Sequence, residues 1–472
     1  MISGFHCLAN TLVTRMNNKQ KVSLFLAVLA LCQVPLLSYF EVEFLKYECL
    51  ILDVLSIVIG YYVARNALHP YVLFLLVINL FLCSRIWIED MIDYPFYYTT
   101  FLSGYPFTTD VQRDMLCMLI LSFLGLNMGL LLYRQKNNVV QDGALPSFPI
   151  LTLQTWAKRA LLLLTPFILF RFYEMWSYVS QYGYIALYAV QAGVARESSW
   201  LDYAAVVYQW LFFVFLATRP SRKDMLKFSV LFLLVISCNL LNGSRGGFAP
   251  FLLLVVSYYS MFYDRISGGK IVAGLVVILT VFQMVGMSRN LQSDETLVVD
   301  LTPEEMALEF FRQQGVSITI LGYADQLKDE QTPMDVLYPL AGMVLGHTDA
   351  DYETKDNVYY SFPHKVTYLI NPHLYAQGFG AGSSYIAELY SSGGFILLFL
   401  ANILLAWLIM YLANTSPYAL YRNMGMLIFL QHLFLMPRGA LLGFIEPLIK
   451  YELLLYIVVW LVKMKGKERK LC

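Results

Sequence analysis

The sequence predicts an all-α protein that crosses a membrane about twelve times. Charged residues make up only 14% of the 472-residue chain, whereas soluble globular chains carry about 25%. Hydrophobic residues make up 58%, and the mean hydropathy is +0.58. Several apolar runs approach the roughly 20 residues that a helix needs to cross the hydrocarbon core of a bilayer. These observations indicate a polytopic membrane protein.

The predicted spans begin close to the N-terminus and continue almost to the C-terminus. No small-residue cleavage site follows the first apolar run, so we expect the first span to be retained rather than removed as a signal peptide. The third and eleventh spans are short. The twelve runs cover residues 22–40, 49–63, 72–83, 115–133, 160–176, 203–217, 228–241, 248–262, 271–287, 395–412, 424–436 and 442–462.

The distribution of charge predicts that both ends of the chain lie in the cytoplasm. Lysine and arginine collect in alternate connections and in the C-terminal tail, as expected of cytoplasmic loops. The net charge of zero therefore hides a segregation of basic residues inside and acidic residues outside. Of the 33 acidic residues, the segments predicted inside hold only Asp142, Asp224, Asp264 and Glu468. Their basic residues include Arg134, Lys136, Arg219, Arg222, Lys223, Lys227, Arg265, Lys270, Lys463, Lys465, Lys467, Arg469 and Lys470.

Three longer connections fall on the opposite, exoplasmic side. They cover residues 84–114, 178–202 and 288–392, and the length of the last one favours a functional element over a simple link. We therefore divide the chain into residues 1–287 with nine spans, the large exoplasmic segment 288–392, and residues 393–472 with three spans and a basic tail.

The large segment combines a predicted helix with a cluster of aromatic residues. Thr302 and Glu305 have the spacing of a capping box, which predicts a helix from Pro303. Tyr359, Tyr360 and Phe362 follow later. Flat aromatic rings stack on pyranose faces, which favours a sugar-binding surface. An interfacial aromatic belt is the alternative explanation.

Arginines at span boundaries are the most informative residues of the sequence. Arg245 lies in the turn Asn-Gly-Ser-Arg-Gly-Gly between two apolar runs, and Arg289 and Arg438 lie at similar boundaries. An arginine facing lipid at mid-bilayer is costly, so each should lie at an interface or in a polar cavity. Guanidinium groups bind phosphate oxygens bidentately and stay charged. The three arginines therefore predict a site for something anionic that arrives through the lipid, with snorkelling to headgroups as the alternative.

Several residues are candidates for a general base near this site. Glu388 follows a glycine-rich turn at the start of a span, where partial burial would suit it to this role. A buried glutamate paired with one of the arginines is the alternative. The glycine-rich run 378–382 is compatible with an anion-binding nest of backbone N–H groups and equally with a tightly packed helix entry. The histidine candidates are His347, His364, His373 and His432.

Other activities lack their motifs. No Walker-type phosphate loop occurs, which argues against direct ATP use. No His-Glu-x-x-His motif and no clustered Cys/His spacing occurs, so we predict neither a metal nor another cofactor. The seven cysteines show no paired spacing and are expected to be core residues. The basic clusters follow the predicted cytoplasmic loops, so nucleic-acid binding is not expected.

Three short stretches of the chain resemble the O-antigen polymerases of the Wzy type. They are residues 243–247, Gln314-Gly315, and residues 378–390 with the sequence Gly-Phe-Gly-Ala-Gly-Ser-Ser-Tyr-Ile-Ala-Glu-Leu-Tyr. The layout is similar too, because a large exoplasmic segment begins just past an arginine. The resemblance implies a multi-pass protein of the bacterial inner membrane with the GT-C-like architecture of O-antigen polymerases and ligases.

The resemblance also implies a glycosyltransferase that uses no nucleotide sugar. It would move a growing glycan from undecaprenyl pyrophosphate to the non-reducing end of another lipid-linked repeat unit at the periplasmic face. Donor and acceptor would both be undecaprenyl-pyrophosphate-linked oligosaccharides embedded among membrane lipids, and a chain-length regulator would be a protein partner. An O-antigen ligase and a repeat-unit flippase are the alternatives. The one-sided charges fit an enzyme better than a flippase, with Asp53, Lys450 and Glu452 as exceptions.

The arginines and the resembling stretches together define the predicted site. Arg245, Arg289 and Glu388 are predicted to be catalytic, with the arginines stabilising negative charge on the leaving pyrophosphate without a metal. The predicted substrate-binding residues are Ser244, Gln314, Gly380, Ser383, Tyr385 and Arg438.

Overall fold

The computed structural model is all-α in the part of the chain that it describes. It describes residues 18–36, 39–91, 102, 104–133, 148–182, 200–241, 247–271, 273–274, 302–330, 332–333, 335–338, 340, 362–376, 380–414 and 419–468. Among these residues the regular structure is helical, with no β-strand. The main helices are α1 (Asn18–Leu36), α2 (Val42–Ala64), α3 (Pro70–Ile88), α4 (Thr109–Leu132), α5 (Phe148–Tyr182), α6 (Trp200–Ala217), α7 (Arg222–Leu241), α8 (Ala249–Phe262), α9 (Pro303–Gln314), α10 (Thr319–Gln326), α11 (Phe362–Ile370), α12 (Pro372–Ala376), α13 (Tyr385–Ala413), α14 (Leu420–Leu433) and α15 (Ile445–Glu468).

Every predicted span except the ninth coincides with one of these helices. The ninth, residues 271–287, lies almost entirely outside the described residues. Among the described helices, α3, α4, α5, α6 and α13 are long and apolar enough to cross a membrane, and α8 is apolar but shorter. The helices support a multi-pass membrane protein. The total of twelve spans and the cytoplasmic termini stay predictions.

The centre of the bundle is a close contact between α4 and α13. Gly125 and Gly129 of α4 lie one helical turn apart, on the same face. A Cβ atom at Gly125 would lie 2.9 Å from Asn402 Cβ, and one at Gly129 would lie 2.9 Å from Ala406 Cβ. These distances are too short for real side chains. Small residues at this spacing allow two membrane helices to approach closely, so the glycines fix how α4 packs on α13.

Hydrogen bonds between helix termini show which helix ends lie together. Ser260 near the end of α8 donates to Asn66, just before α3, at 2.9 Å. Arg219, just after α6, donates to Asn423 of α14 at 3.2 Å. The Arg219 guanidinium also lies over the ring of Phe262, the last residue of α8. The end of α8 therefore lies with the end of α6 and the beginnings of α3 and α14, which makes α8 antiparallel to α3 and α14.

Two further contacts place the ends of α4, α7 and α13. Asn414 after α13 donates to the Tyr133 hydroxyl after α4 at 3.3 Å, and Arg222 at the start of α7 forms an ion pair with Asp264 after α8. We call this the basic end of the bundle, because the basic connections after α6 and α8 lie there. The opposite end, which we call the site end, holds the last residues of α3, α7 and α14 and the first residues of α4, α8 and α13.

Helix α9 begins and ends with local interactions. Thr302 Oγ1 accepts from the Glu305 amide at 3.3 Å, and Glu305 Oε2 accepts from the Thr302 amide at 2.7 Å, so the predicted capping box is confirmed. One turn before the helix ends, both carboxylate oxygens of Glu309 accept from Arg312 at 2.5 Å. These contacts stabilise α9 locally. The helix then packs on α3.

The large segment docks on the site end through two glycines. Gly315 follows α9 and lies against Ser84 and Arg85 of α3, where a Cβ atom would come within 3.0 Å of the Arg85 amide nitrogen and closer still to the Ser84 hydroxyl. Gly322 of α10 lies against the Phe107 ring, and a Cβ atom there would come within 2.7 Å of a ring carbon. Both positions require glycine because there is no space for a side chain.

A buried ion pair holds the later part of the large segment on α13. Lys365 Nζ of α11 lies 2.7 Å from Asp335 Oδ2, and the two side chains are only 3% and 1% exposed. Ser391 of α13 donates to Asp335 at 2.5 Å, and Lys365 also donates to the Glu330 carbonyl at 2.8 Å. Each charge thus gains additional hydrogen bonds, as a buried ion pair requires. No pattern in the sequence predicted this pair.

Helix α13 consists of two pieces joined by a kink. Gly393 and Gly394 have non-helical dihedral angles, and φ of Gly394 is 62°. That left-handed conformation favours glycine, because a side chain would clash with the backbone. The kink coincides with the predicted start of the tenth span at Phe395. The first piece, which carries Glu388, therefore belongs to the site end and precedes the long apolar piece.

Candidate active site

A π-helical turn in α3 marks the centre of the site end. It covers Asn79–Cys83, and such turns are rare and frequent at functional sites. The Arg438 guanidinium carbon lies 5.9 Å from the ring centroid of Phe81 in this turn, within the range of a cation–π contact. Arg438 ends the short 3₁₀ helix Met436–Arg438 that follows α14. The π turn of α3 and the arginine-bearing loop are thus neighbours.

Glu388 ties the arginine-bearing loop to α13. The residue is only 1% exposed. Its Oε2 accepts from the Leu441 amide at 2.8 Å, and its Oε1 accepts from the Ser383 hydroxyl at 2.6 Å. Both donors are neutral, so the predicted alternative of a carboxylate paired with an arginine is not what the described residues form. Because Leu441 lies three residues after Arg438, Glu388 holds the loop that carries the arginine.

His432 supports the same loop from α14. Its Nε2 lies 2.6 Å from the Ala440 carbonyl oxygen. A carbonyl only accepts, so this nitrogen carries the proton and is not available as a base. Gly443 packs against the ring, since a Cβ atom there would lie 3.1 Å from Nε2. His432 therefore has a positioning role.

The histidine candidates His364 and His373 lie in the large segment. His364 Nδ1 lies 3.2 Å from the Tyr375 hydroxyl, and the two rings meet edge to face at 5.8 Å. Burial lowers the pKa of His364 below its ordinary value, which favours the neutral imidazole near pH 7. His373 is exposed on α12. His347 lies outside the described residues.

Tyr385 has a different position from the one that the sequence predicts for a substrate-binding residue. It is completely buried. Its hydroxyl donates to Asn402 Oδ1 at 3.1 Å, and its ring centroid lies 5.7 Å from that of Phe74. The first turn of α13 lies inside the bundle, so Tyr385 belongs to the core and does not line an accessible surface.

The remaining predicted substrate-binding residues differ in exposure. Gly380 and Arg438 are exposed, and a Cβ atom at Gly380 would meet nothing within 4 Å. Gln314 is half-buried at the end of α9, beside the contact of Gly315 with α3. Ser383 is buried, and its hydroxyl donates to Glu388. Among the members of this set that the structure describes, Gly380, Arg438 and Gln314 are therefore the ones that a ligand reaches without rearrangement.

The glycine-rich run before α13 is a helix entry in its described part. The Ala381 amide donates to Thr367 Oγ1 at 2.8 Å, so this N–H group is engaged and does not contribute to an anion nest. Gly382 has a φ of 76°, which favours glycine in the turn. Gly378 and Phe379 lie outside the described residues.

Ser244, Arg245 and Arg289 also lie outside the described residues. The helices that flank Arg245 end and begin as expected, at Leu241 and Ala249. Both of these helix ends belong to the site end of the bundle.

The sequence analysis missed a second polar cluster at the π turn. Asp53 of α2 is completely buried. Its Oδ2 accepts from the Asn79 amide group and, at 3.2 Å, from the Trp87 indole N–H. A lone acidic residue inside an apolar run was the available signal, because intramembrane charges are costly and usually functional. Asn79 gave no signal of its own, since a single asparagine is ordinary in the run that it belongs to.

The all-α membrane bundle and the arginine on its loop agree with the architecture that the resemblance implies. Comparison with known protein families identifies the family. The family model for O-antigen polysaccharide polymerase Wzy matches residues 21–468. The chain belongs to this family. No curated protein and no solved structure matches it. As a Wzy-family polymerase it has a role in O-antigen polymerisation, a glycosyltransferase-type activity on lipid-linked oligosaccharide repeat units.

Proposed function

We propose that this polymerase transfers the growing glycan from undecaprenyl pyrophosphate to the non-reducing end of a second lipid-linked repeat unit. The bond between sugar C1 and the pyrophosphate oxygen breaks, and a bond forms between C1 and an acceptor hydroxyl oxygen. The hydroxyl proton passes to a base, and undecaprenyl pyrophosphate leaves. The observation that carries the proposal is the loop of Arg438, which the buried Glu388 fixes at the site end.

The leaving pyrophosphate is the group for which we propose the arginines. Leu241 and Ala249 flank the turn of Arg245, and they belong to the same end of the bundle as Arg438. We therefore place Arg245 and Arg438 within one site and predict Arg289 as its third member. Fixed guanidinium groups in a partly dry site stabilise developing phosphate charge without reorganisation and without a metal.

The site end is, on this proposal, the periplasmic face of the inner membrane. The opposite end carries Arg219, Arg222 and Arg265 in its connections, and basic connections mark the cytoplasmic side. A lipid-linked substrate would present its pyrophosphate at the membrane surface, at the depth of the loops that follow α7 and α14.

Glu388 acts in this proposal as a positioning residue for the Arg438 loop. Both of its oxygens accept hydrogen bonds, and the side chain is closed off from solvent. Service as the general base would require the buried carboxylate to become accessible to the acceptor hydroxyl first. Comparison of Glu388→Ala with Glu388→Gln decides whether Glu388 is also the base.

A strain that lacks this chain tests the proposal. Surface polysaccharide is resolved on a gel, and lipid-linked intermediates are extracted in parallel. Core carrying a single repeat unit with no ladder supports the polymerase. Core without any repeat, together with long polymer on the lipid carrier, identifies a ligase. Single units confined to the cytoplasmic face identify a flippase, and either of these last two results overturns the proposal.

A further inference from the structure

A small cavity lies where the large segment meets the end of α3. It has a volume of about 190 Å³ and is lined by Asn79, Ser84, Trp87, Ile88 and Phe311. Four of these residues belong to α3 and its π turn, and Phe311 belongs to α9. Drug-sized ligands occupy pockets of about 300–1,000 Å³, so this cavity has room for a smaller group, such as a single sugar ring.

Buried polar groups organise the wall of the cavity. Asp53 lies behind it and accepts from Asn79 and from the Trp87 indole N–H. Its second oxygen, Oδ1, has no hydrogen-bond partner among the residues that the structure describes. A buried carboxylate lowers stability unless it is compensated. Its two bonds fix the amide plane of Asn79 and the ring of Trp87, which are both lining groups.

The lining has the chemistry that recognises a carbohydrate. Trp87 is 38% exposed, so part of its ring is accessible, and aromatic faces stack on the C–H faces of pyranoses. The Asn79 side chain keeps a carbonyl oxygen that accepts from a sugar hydroxyl, because its amide nitrogen is the group that binds Asp53. The Ser84 hydroxyl has one hydrogen, which the Leu80 and Phe311 carbonyl oxygens share at 2.7 and 3.0 Å. Since Ser84 is also buried, it shapes the wall of the cavity, and Trp87 and Asn79 are the groups that meet the sugar.

We propose that this cavity binds one pyranose ring of the lipid-linked repeat unit. The inference rests on the proposed function and adds a sugar subsite to it. Asn79 of the cavity and Phe81 beneath Arg438 belong to the same π turn. The turn therefore sets the position of a bound sugar ring relative to the arginine that we assign to the pyrophosphate. A sugar near a pyrophosphate is the arrangement that a lipid-linked repeat unit presents.

Kinetics with Trp87 variants test the subsite. The full-length protein in nanodiscs would extend lipid-linked repeat units extracted from the strain that lacks it. We expect Trp87→Ala to raise KM about tenfold, equivalent to about 1.4 kcal/mol of binding, with kcat near that of wild type. Trp176→Ala is the matched control, because Trp176 is a similarly exposed tryptophan on α5. A wild-type KM for Trp87→Ala would overturn the subsite.

A fluorescence titration tests binding without catalysis and without removing the aromatic ring. The probe is the free repeat-unit oligosaccharide, released from its lipid by mild acid. We expect it to quench wild-type tryptophan emission saturably, with the change lost in Trp87→Phe and kept in Trp176→Phe. Retention of the full change in Trp87→Phe would overturn the proposal. If wild type extends no repeat unit, the polymerase proposal fails, and this titration still decides the subsite separately.

Discussion

The two ends of the helix bundle are built differently. At the basic end, hydrogen bonds between helix termini, such as that of Ser260 with Asn66, join regular helices. At the site end, α3 contains a π turn and α13 kinks at Gly394. Carboxylates, among them Asp53, Glu388 and Asp335, are also buried there within hydrogen-bond networks.

The difference shows which end of the bundle contains the destabilising features. Irregular backbone and buried charge are both costly, and they persist where the surrounding structure determines them. The basic end connects helices, whereas the site end fixes the positions of an arginine-bearing loop and of the large segment. Functional variants should therefore have large effects at the site end and small effects at the basic end.

The largest effect is expected from Arg245. Arg245→Ala should abolish polymer, because removing one fixed donor from a developing charge lowers the rate by about 10²–10³. Arg245→Lys should also impair polymerisation, since a point charge lacks the planar fork. The measurement is the polysaccharide ladder of a complemented strain. Arg222→Ala, at the start of α7 and at the basic end, is the control, and equal ladders for Arg222→Ala and Arg245→Ala would contradict the assignment.

The buried ion pair should dominate the stability of the large segment. Asp335→Asn leaves Lys365 buried without its counter-charge, which should lower the free energy of unfolding by about 3–5 kcal/mol. Thermal unfolding in detergent measures this loss. Asp224→Asn removes a half-exposed partner of Lys158 and should cost at most about 1 kcal/mol. Equal losses for the two variants would contradict the comparison between the ends.

Two substitutions at Glu388 separate positioning from proton transfer. Glu388→Ala should lower activity by about 10- to 100-fold, because bonds to a charged group contribute about 1.5–3 kcal/mol. Glu388→Gln keeps an acceptor for the Leu441 amide and should retain most activity. If the glutamine variant is as inactive as the alanine variant while its thermal stability matches wild type, Glu388 is the base instead.

The smallest effect is expected from the glycine contact between α9 and α3. Gly315→Ala forces a methyl group against Arg85 and Ser84, and overpacking of this kind costs about 1–3 kcal/mol. Faster proteolysis within the large segment would report the loosened docking. Gly268→Ala at the basic end meets nothing within 4 Å and should cleave like wild type. An unchanged cleavage rate for Gly315→Ala would show that the contact does not hold the segment.

Features set by local pattern were predictable from the sequence. The apolar runs indicated the helices, Thr302 and Glu305 indicated the cap of α9, and the segregated arginines indicated two different ends. Each depends on residues within one helix or on one connection, so no tertiary information was needed.

Features set by long-range contacts were not predictable. Asp335 meets Lys365 of a later helix, and Gly315 meets Arg85 more than 200 residues earlier. Tyr385 lies in a motif-like stretch but packs in the core against Phe74 of α3. A single sequence carries periodicity and composition, and it does not state which helices pack together.

The most direct test of the arginine site uses purified components. The full-length protein in nanodiscs receives only lipid-linked repeat units, with a chelator present and no nucleotide sugar. We predict a ladder of lipid-linked polymer, with release of undecaprenyl pyrophosphate in step with each added unit, and loss of both in Arg245→Ala. A ladder that forms only when a metal or a nucleotide sugar is added, or that Arg245→Ala still produces, would contradict a metal-free arginine site.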